Sequence, residues 1–398
     1  MAYEAFTLEV NGIQYQGLLS ASATTSLEQL SGEFKCDVTM PQNGTFPIKR
    51  GNECRILIYG TPIITGFINK IDMHLDANSH TISVCGRDKT CDIIDNTLPP
   101  VVTFNTPISI IDLTKKVLNI YGITNINVST DIEDLDIFNA SEKVAAEVGE
   151  SAFDFLEKYA KKRQVILSTD GNGNILYTRA QAIIVSDFIN VNQGINKGNV
   201  LSIDMSVDDS KRFYKYILSS QDKNGGTAVI TNYNQLHDQP TSQAETYATA
   251  TAIDDEIRNT RTHNFLSDTT YVDQKARQDR AEWEKNVRRA NGFTYEISVQ
   301  GFKNIKGEVW RPNMLLNIND TINDVYADLL ILSTEFTLNL DGGTQTKLTL
   351  TTPDAFQVIL QKKTKKDKKA KKLADKFNLD VTAENDELEE NDESGDGE

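Results

Sequence analysis

Hydrophobic and polar residues alternate with the period of a β-strand through most of the first hundred residues. Phe34, Cys36, Val38 and Met40 are separated by single polar residues, which predicts a strand with one buried face. Asn11-Gly12 is a strong two-residue hairpin turn. Further strands are predicted at residues 6–10, 54–59, 63–75 and 81–85. Alternation with many turns is typical of an antiparallel barrel or sandwich.

The segment at residues 81–95 combines several signals. It begins as a strand in which Ile82 and Val84 point to one face. We expect Gly86 to break this extended run. Polar residues follow, and Ile93 and Ile94 are expected to re-enter the core.

The period changes to that of a helix within residues 101–185. Thr106-Pro107 is expected to start a helix, with Thr106 as the cap, and Gly122 to end it. A second helix is expected at Ser151, with Asp154 in the capping-box position. Two short strands flank the glycine-rich turn at residues 170–173. The pattern predicts a small α+β insertion.

Residues 186–352 return mostly to the strand pattern. A long helix is predicted from about Tyr271 to Asn291, with a capping box at Thr270 and Asp273. Its apolar stripe is narrow, so most of it should face water or a polar partner. Strands are predicted at residues 293–300 and 315–318, and a hairpin at residues 329–351.

Two stretches of the chain resemble each other. Residues 50–58 parallel residues 311–318, and residues 71–84 parallel residues 336–349, each with a polar turn inside. One interpretation is a duplicated three-strand module. The other is that any meander with polar turns produces this likeness.

Charge is distributed unevenly along the chain. The net charge of the 398 residues is −16. Residues 361–376 hold nine Lys and two Asp, whereas residues 380–398 hold ten acids and no Lys or Arg. The remaining body is acidic, which argues against tracking a phosphate backbone over a wide surface. No apolar run approaches the ~18 residues needed to span a bilayer.

The charged C-terminal segment cannot bury enough apolar surface to order itself. It either grips a neighbour, or its own opposite charge, or it is a solvated tail. The residues predicted to contact a partner are Lys362, Lys363, Lys365, Lys366 and Phe377.

No residue pattern points to catalysis, a metal or a cofactor. Cys36, Cys54, Cys85 and Cys91 form no C-x-x-C pair and are interpreted as small buried hydrophobes. None of the four histidines lies in a ligand motif. Residues 170–174 hint at a calcium loop, but a hairpin turn explains them. Carboxylate runs at residues 131–136 and 254–256 are expected on solvated faces of so acidic a chain.

The order of these features resembles the baseplate hub proteins of contractile phage tails, of the Mu type, which share a superfamily with the hub part of type VI secretion spike proteins. The resemblance is carried by residues 26–32, Gly66-Phe67-Ile68 and Gly86-Arg87-Asp88-Lys89-Thr90. It continues through Asp154-Phe155-Leu156 and Trp310-Arg311-Pro312. It covers most of residues 1–352.

The resemblance implies a mainly β chain with two antiparallel β-barrel domains of tail-tube type, a small α+β domain and one long helix. The expected domains are a first barrel at 1–98, an α+β insertion at 99–185, a second barrel at 186–352 with a helical insertion at about 243–291, and a charged, disordered tail at 353–398.

The implied function is structural rather than enzymatic. Three copies would form a ring that adapts the threefold central spike to the sixfold tail tube and leaves a lumen for DNA. The implied partners are a second and third copy, the spike, the tail tube protein or its initiator, the baseplate wedge proteins, and viral DNA passing without sequence-specific binding. The expected place is the virion tail baseplate, assembled in the bacterial host cytoplasm without a membrane anchor.

Two alternatives stay open. One is the hub of a phage-derived injection machine, either a tailocin or a type VI-like system. The other is a tail-associated cell-wall hydrolase, which would need two positioned carboxylates.

Overall fold

The computed structural model describes residues 5–15, 17–39, 46–75, 80–133, 135–140, 142–163, 165–180, 184–191, 200–220, 248–266, 274–340 and 342–353. In the N-terminal part the elements are β1 Phe6–Val10, β2 Ile13–Tyr15, β3 Ser20–Ser26, β4 Glu33–Thr39, β5 Glu53–Ile58, β6 Thr61–Leu75, β7 His80–Asp88 and α1 Cys91–Asp95. The insertion contains β8 Thr103–Phe104, α2 Ile110–Ile120, β9 Val128–Thr130, β10 Val144–Ala145, α3 Ala152–Lys162, β11 Ile166–Thr169 and β12 Ile175–Thr178. The C-terminal part contains β13 Ile184–Val191, β14 Val200–Val207, β15 Lys215–Ser220, β16 Ala248–Ile253, β17 Thr262–Leu266, α4 Gln274–Asn291, β18 Phe293–Gln300, β19 Leu315–Asp320, β20 Val325–Asn339 and β21 Gly343–Thr351.

Strands from both ends of the chain form one large sheet. Its order in the described residues is β14-β18-β21-β20-β3-β4-β7-β6-β5-β1-β2, and β19 joins β20 to β13. The mainly β fold class is therefore confirmed. The pairing does not close either half into a barrel of its own, because β3 pairs with β20 across the halves. The domain boundaries inferred from the sequence remain predictions.

Strand topology shows the duplicated module, but with a different residue alignment from the one seen in the sequence. The bulges place Ile71 opposite Val84 in the first triplet and Thr334 opposite Leu348 in the second, so Ile71 corresponds to Thr334 and not to Phe336. β5, β6 and β7 have 6, 15 and 9 residues, and β19, β20 and β21 have the same three lengths. In each triplet the long central strand pairs with the first strand over its beginning and with the third over its remainder.

A β-bulge fixes the equivalence of the two triplets. It lies between Ile68 and Lys70 in β6 and between Ile331 and Ser333 in β20. At each bulge the same hydrogen-bond pair recurs: Gly51 N–H donates to Ile68 O, and Asn313 N–H donates to Ile331 O. The returning bonds run from Ile68 N–H to Asn52 O and from Ile331 N–H to Met314 O.

The hydrophobic core of the large sheet draws on both halves. Phe6, Ile56 and Val84 belong to the same buried cluster as Phe336 and Leu348. The insertion has its own core between α2, α3 and the β9–β12–β11 sheet, which includes Leu113, Phe155 and Tyr177. A smaller core lies under α4, against β15 and β16.

The helices agree with their sequence signals at most ends. Ser151 caps α3 by accepting a hydrogen bond from Asp154 N–H, and its hydroxyl donates to the Asp154 carboxylate, as predicted. The cap of α2 is Ser109 instead of Thr106, because the Ser109 hydroxyl is the acceptor that reaches Asp112 N–H. Thr270 and Asp273, the predicted capping box of the long helix, lie outside the described residues. None of the described helices is long and apolar enough to cross a membrane.

Gly86 does not break its strand, contrary to the expectation. β7 continues through it to Asp88 and pairs with β4 on one side and β6 on the other. A Cβ at Gly86 would lie 2.4 Å from Phe67 O and 2.6 Å from the Phe34 ring. Glycine is needed here for close approach of neighbouring chains and not for a turn.

Candidate functional site

The two halves of the chain meet where β3 pairs antiparallel with the part of β20 that follows the bulge. The register runs from Ser20 opposite Asn339 to Ser26 opposite Ser333. We call this pairing the internal seam. Near its bulge end the hydroxyls of Thr25 and Thr334 are 2.9 Å apart, and both residues are buried. The seam is thus an interface between two like modules within one polypeptide.

Small residues on β3 leave space for large ones on β20. Ala21 and Ala23 are buried opposite Leu338 and Phe336. The Phe336 ring also packs edge-on against Phe302, with ring centroids 5.5 Å apart. Such complementary cross-strand pairs are the usual source of stability in an antiparallel sheet.

The equivalents of these two strands in the opposite modules have open edges. β14 pairs only with β18 among the described strands, and no described strand covers β6 on the other side after its bulge. Apolar side chains remain exposed on both: Met73 is 60% and Leu75 74% exposed, and Met205 and Val207 are 40% and 57% exposed. Open edges with apolar side chains are sites where another chain can pair.

A buried carboxyl group marks the corner where the insertion joins the sheet. Asp88 is fully buried, and its Oδ1 accepts hydrogen bonds from the backbone N–H and the hydroxyl of Thr90. Burial raises the pKa of Asp88 to about 6, and the bonds from Thr90 oppose that rise. The Thr90 hydroxyl also lies 3.1 Å from Leu30 O, so its one proton is shared between two acceptors, and this contact ties the end of β7 to the loop after β3.

The glycine-rich turn at residues 170–174 is a hairpin between β11 and β12, as predicted. The Asp170 carboxylate accepts the N–H groups of Asn172 and Asn174 at 2.8 and 3.1 Å. The turn docks on β6, where the Thr65 hydroxyl donates to Gly171 O. Its acidic side chain therefore stabilises the turn itself.

The remaining acidic clusters take part in ion pairs or local hydrogen bonds. Asp254 is buried, contrary to the expectation of a solvated face, because it accepts hydrogen bonds from two guanidinium nitrogens of Arg212, which also contacts Glu256. A cleft of about 410 Å³ contains Asp131, whose carboxylate accepts from Thr178. In the part of the chain that the structure describes, no group of His, Cys, Asp or Glu has the arrangement of a metal site.

The cysteines lie where small hydrophobes are expected. Cys36, Cys54 and Cys91 are buried and Cys85 is partly exposed, and all four are free thiols. Burial raises the pKa of Cys54 to about 12 and that of Cys91 to about 11. These thiols are poor nucleophiles.

The predicted partner contacts at Lys362, Lys363, Lys365, Lys366 and Phe377 lie outside the described residues, so their role stays a prediction. Sequence reasoning missed the open edges of β6 and β14. The alternation of Ile203, Met205 and Val207 with polar residues signals a strand with an apolar face. It does not reveal that no described strand of the same half covers that edge.

Three family models match successive parts of the chain. Residues 5–88 match the N-terminal domain of Mu phage baseplate assembly protein GpP-like, residues 90–179 match the second domain of baseplate hub protein gp44-like, and residues 273–359 match the fourth domain of Mu phage baseplate assembly protein GpP. The chain belongs to the Mu-type baseplate hub family.

Individual relatives extend this match over most of the chain. The baseplate hub protein gp44 of Escherichia phage Mu is 23% identical over 357 residues, which is 89% of each chain. The 43 kDa tail protein of prophage MuSo2 from Shewanella oneidensis is 25% identical, with a TM-score of 0.73 over 89% of this chain and 99% of that one. A tail protein from Neisseria meningitidis MC58 is 20% identical, with a TM-score of 0.72 over 89% of this chain and 99% of its own.

The resemblance found in the sequence is thus confirmed. The protein is a baseplate hub of a Mu-like phage tail and a component of the virion tail.

Proposed function

We propose that three copies of this hub close into a ring that adapts a threefold spike to a sixfold tail tube. The observation that carries the proposal is the duplication: each chain holds two equivalent β modules, joined through the internal seam. Three chains then present six modules around one axis. Heterologous contacts of this kind form a closed ring when the rotation between neighbours closes.

The centre of the ring would be a lumen for DNA. The chain carries a net charge of −16, and its Lys-rich segment is confined to residues 361–376. An acidic wall repels the phosphate backbone and lets it pass without adhering. The partners of the ring are the spike below, the tube protein or its initiator above, and the baseplate wedges around it, with assembly in the host cytoplasm.

The number of hub chains in the assembly tests this proposal. Light scattering on the full-length chain, alone and mixed with its spike protein, should show three chains of 44.4 kDa each in at least the second sample, where the mass of the bound spike is added. A monomer in both samples would overturn the ring.

The role we propose is mechanical, without a catalytic step. In family terms the hub templates assembly and leaves with the tube when the sheath contracts. A zymogram on peptidoglycan should show no clearing by the full-length chain. Clearing by the wild-type chain that is lost when a pair of its acidic residues is replaced would instead identify a cell-wall hydrolase.

The C-terminal lysines and Phe377 are proposed to grip a neighbouring baseplate protein. Replacing Lys362, Lys363, Lys365 and Lys366 by Glu should reduce co-sedimentation of the hub with its baseplate partners. The Phe377→Ala variant should weaken it through the apolar contact alone. If both variants co-sediment as the wild type does, the segment is a solvated tail and does not contact a baseplate partner.

A further inference from the structure

Both strands of the internal seam have equivalents in the same chain whose outer edges no described strand covers. Starting from the bulges, Ile71, Met73 and Leu75 of β6 correspond to Thr334, Phe336 and Leu338 of β20. The three β20 residues are buried by β3, whereas Met73 and Leu75 are largely exposed.

The same correspondence continues to the other partner of the seam. Val84 pairs with Ile71 and Leu348 pairs with Thr334, so Gly86 and Leu350, two residues further on, are equivalent. Phe34 of β4 pairs with Gly86 and Tyr295 of β18 pairs with Leu350, which makes Phe34 and Tyr295 equivalent. Phe34 pairs with Ala23 of β3, and Tyr295 pairs with Met205 of β14. β14 is therefore the equivalent of β3, but its outer edge meets no described strand.

We propose that β14 of one copy pairs antiparallel with the part of β6 after the bulge in a second copy, in the register of the internal seam. The proposal rests on the ring inferred above and names its contact. Each chain would then contain the internal seam and form one further seam with each of its two neighbours in the ring. The open edges of β14 and of the late part of β6 are then both covered, which removes two sites of uncontrolled pairing.

The register brings complementary side chains together. On one face Ile203 meets Leu75, Met205 meets Met73 and Val207 meets Ile71. All six are apolar, and Ile71 and Ile203 already pack against the main core. The new contact would therefore extend that core across the boundary between copies.

Charges on the opposite face agree with the same register. Asp204 comes opposite His74, and Asp208, just beyond the end of β14, comes opposite Lys70. Lys70 also forms an exposed ion pair with Asp72 on its own strand, 2.6 Å away, which leaves its remaining donors for the neighbour. A slip by one residue would set the apolar residues against the charged face, so the register is strongly specified.

A disulfide test distinguishes this seam from other ways of closing a ring. In a Cys85→Ser background the remaining cysteines are buried, at 3% exposure or less. The Met205→Cys and Met73→Cys pair in full-length protein should cross-link copies under mild oxidation, because directly opposed Cβ atoms lie within reach of a disulfide. Non-reducing gels should show linked dimers and trimers and no longer ladder.

The matched control is the pair Ser206→Cys and Met73→Cys. Ser206 is also exposed but points to the other face of the sheet, so its cross-linked product should be about tenfold less. Each single cysteine variant, measured by circular dichroism, reports whether the substitutions permit folding.

The outcomes separate the two proposals. Cross-linking of the 205–73 pair and not of the 206–73 pair supports the seam. A trimer by light scattering without selective cross-linking would overturn the seam and leave the ring. A monomer by light scattering in the presence of the spike would overturn both.

Discussion

At the scale of single residues, the corner at Asp88 combines a buried acid with close backbone approach. The carboxyl group is fully buried and bonded to Thr90, and the nearby Gly66 and Gly86 let β6 and β7 approach each other. The motif that carried the family resemblance is thus a structural joint between the sheet and the insertion.

The raised pKa of Asp88 predicts a pH dependence of stability. The folded pKa of about 6 lies above the ordinary value of 3.8, so the native state binds the proton more tightly than the unfolded state does. The free energy of unfolding should therefore fall as the pH rises from about 4 to 6. Asn cannot titrate, so the Asp88→Asn variant should gain about 2 kcal/mol relative to wild type between pH 4 and pH 7.

Urea unfolding at both pH values measures this difference. Asp136→Asn makes the same charge change at an exposed position and should show no such gain. Parallel curves for the Asp88→Asn variant and wild type would contradict the buried-acid argument.

Gly66 gives a second prediction at this scale. A Cβ there would lie 1.9 Å from Arg87 O, a clash with backbone on the paired strand. Gly66→Ala should cost about 3 kcal/mol or more in unfolding free energy. Gly342→Ala, where the nearest atom is 3.5 Å away, should change it by less than about 0.5 kcal/mol. Equal melting temperatures for the two variants would contradict the interpretation that Gly66 is needed for the close approach of β6 and β7.

At the scale of elements, the internal seam is held by apolar packing and by one buried hydroxyl pair. Thr25 and Thr334 are separated by 309 positions in sequence, and each hydroxyl gives the other a hydrogen-bond partner. Since a buried hydroxyl without a partner is costly, the two positions should be energetically coupled.

A double-mutant cycle tests that coupling. Thr25→Val or Thr334→Val alone should lower the free energy of unfolding by about 1–3 kcal/mol, because each leaves the partner's buried hydroxyl without a hydrogen bond. The double variant should cost less than the sum, with a coupling energy of about 1 kcal/mol, measured by chemical unfolding. Additive losses would mean that the two hydroxyls do not depend on each other.

At the scale of the whole molecule, the two modules share one sheet and one core. Trp310 of the C-terminal half and Ile56 of the N-terminal half belong to the same buried cluster. A loss of packing in one half should therefore be felt in the other.

This cooperativity can be measured through Trp310 in a Trp283→Phe background. Ile56→Ala should destabilise by about 2–5 kcal/mol and shift the Trp310 fluorescence transition together with the far-UV circular dichroism transition. Two independent barrels would leave the Trp310 transition in place. Ile110→Ala, in the separate core of the insertion, serves as the matched comparison.

The sequence alone determined the local elements of this protein and its family. Strand alternation around Phe34, the Asn11-Gly12 turn and the Ser151 cap depend on residues close together in the chain, so their signals are readable there. Their order along the chain identified a Mu-type hub, and the duplicated module was visible as a likeness of two stretches.

Only the tertiary structure decided which strands meet. The pairing of β3 with β20 joins residues some three hundred positions apart, and no local pattern encodes a partner at that distance. For the same reason Gly86 resembled a break until β4 and β6 were seen on either side of it. The exposed edges of β6 and β14 became apparent once their equivalents were found paired, because an edge is a property of the assembled sheet and not of a strand.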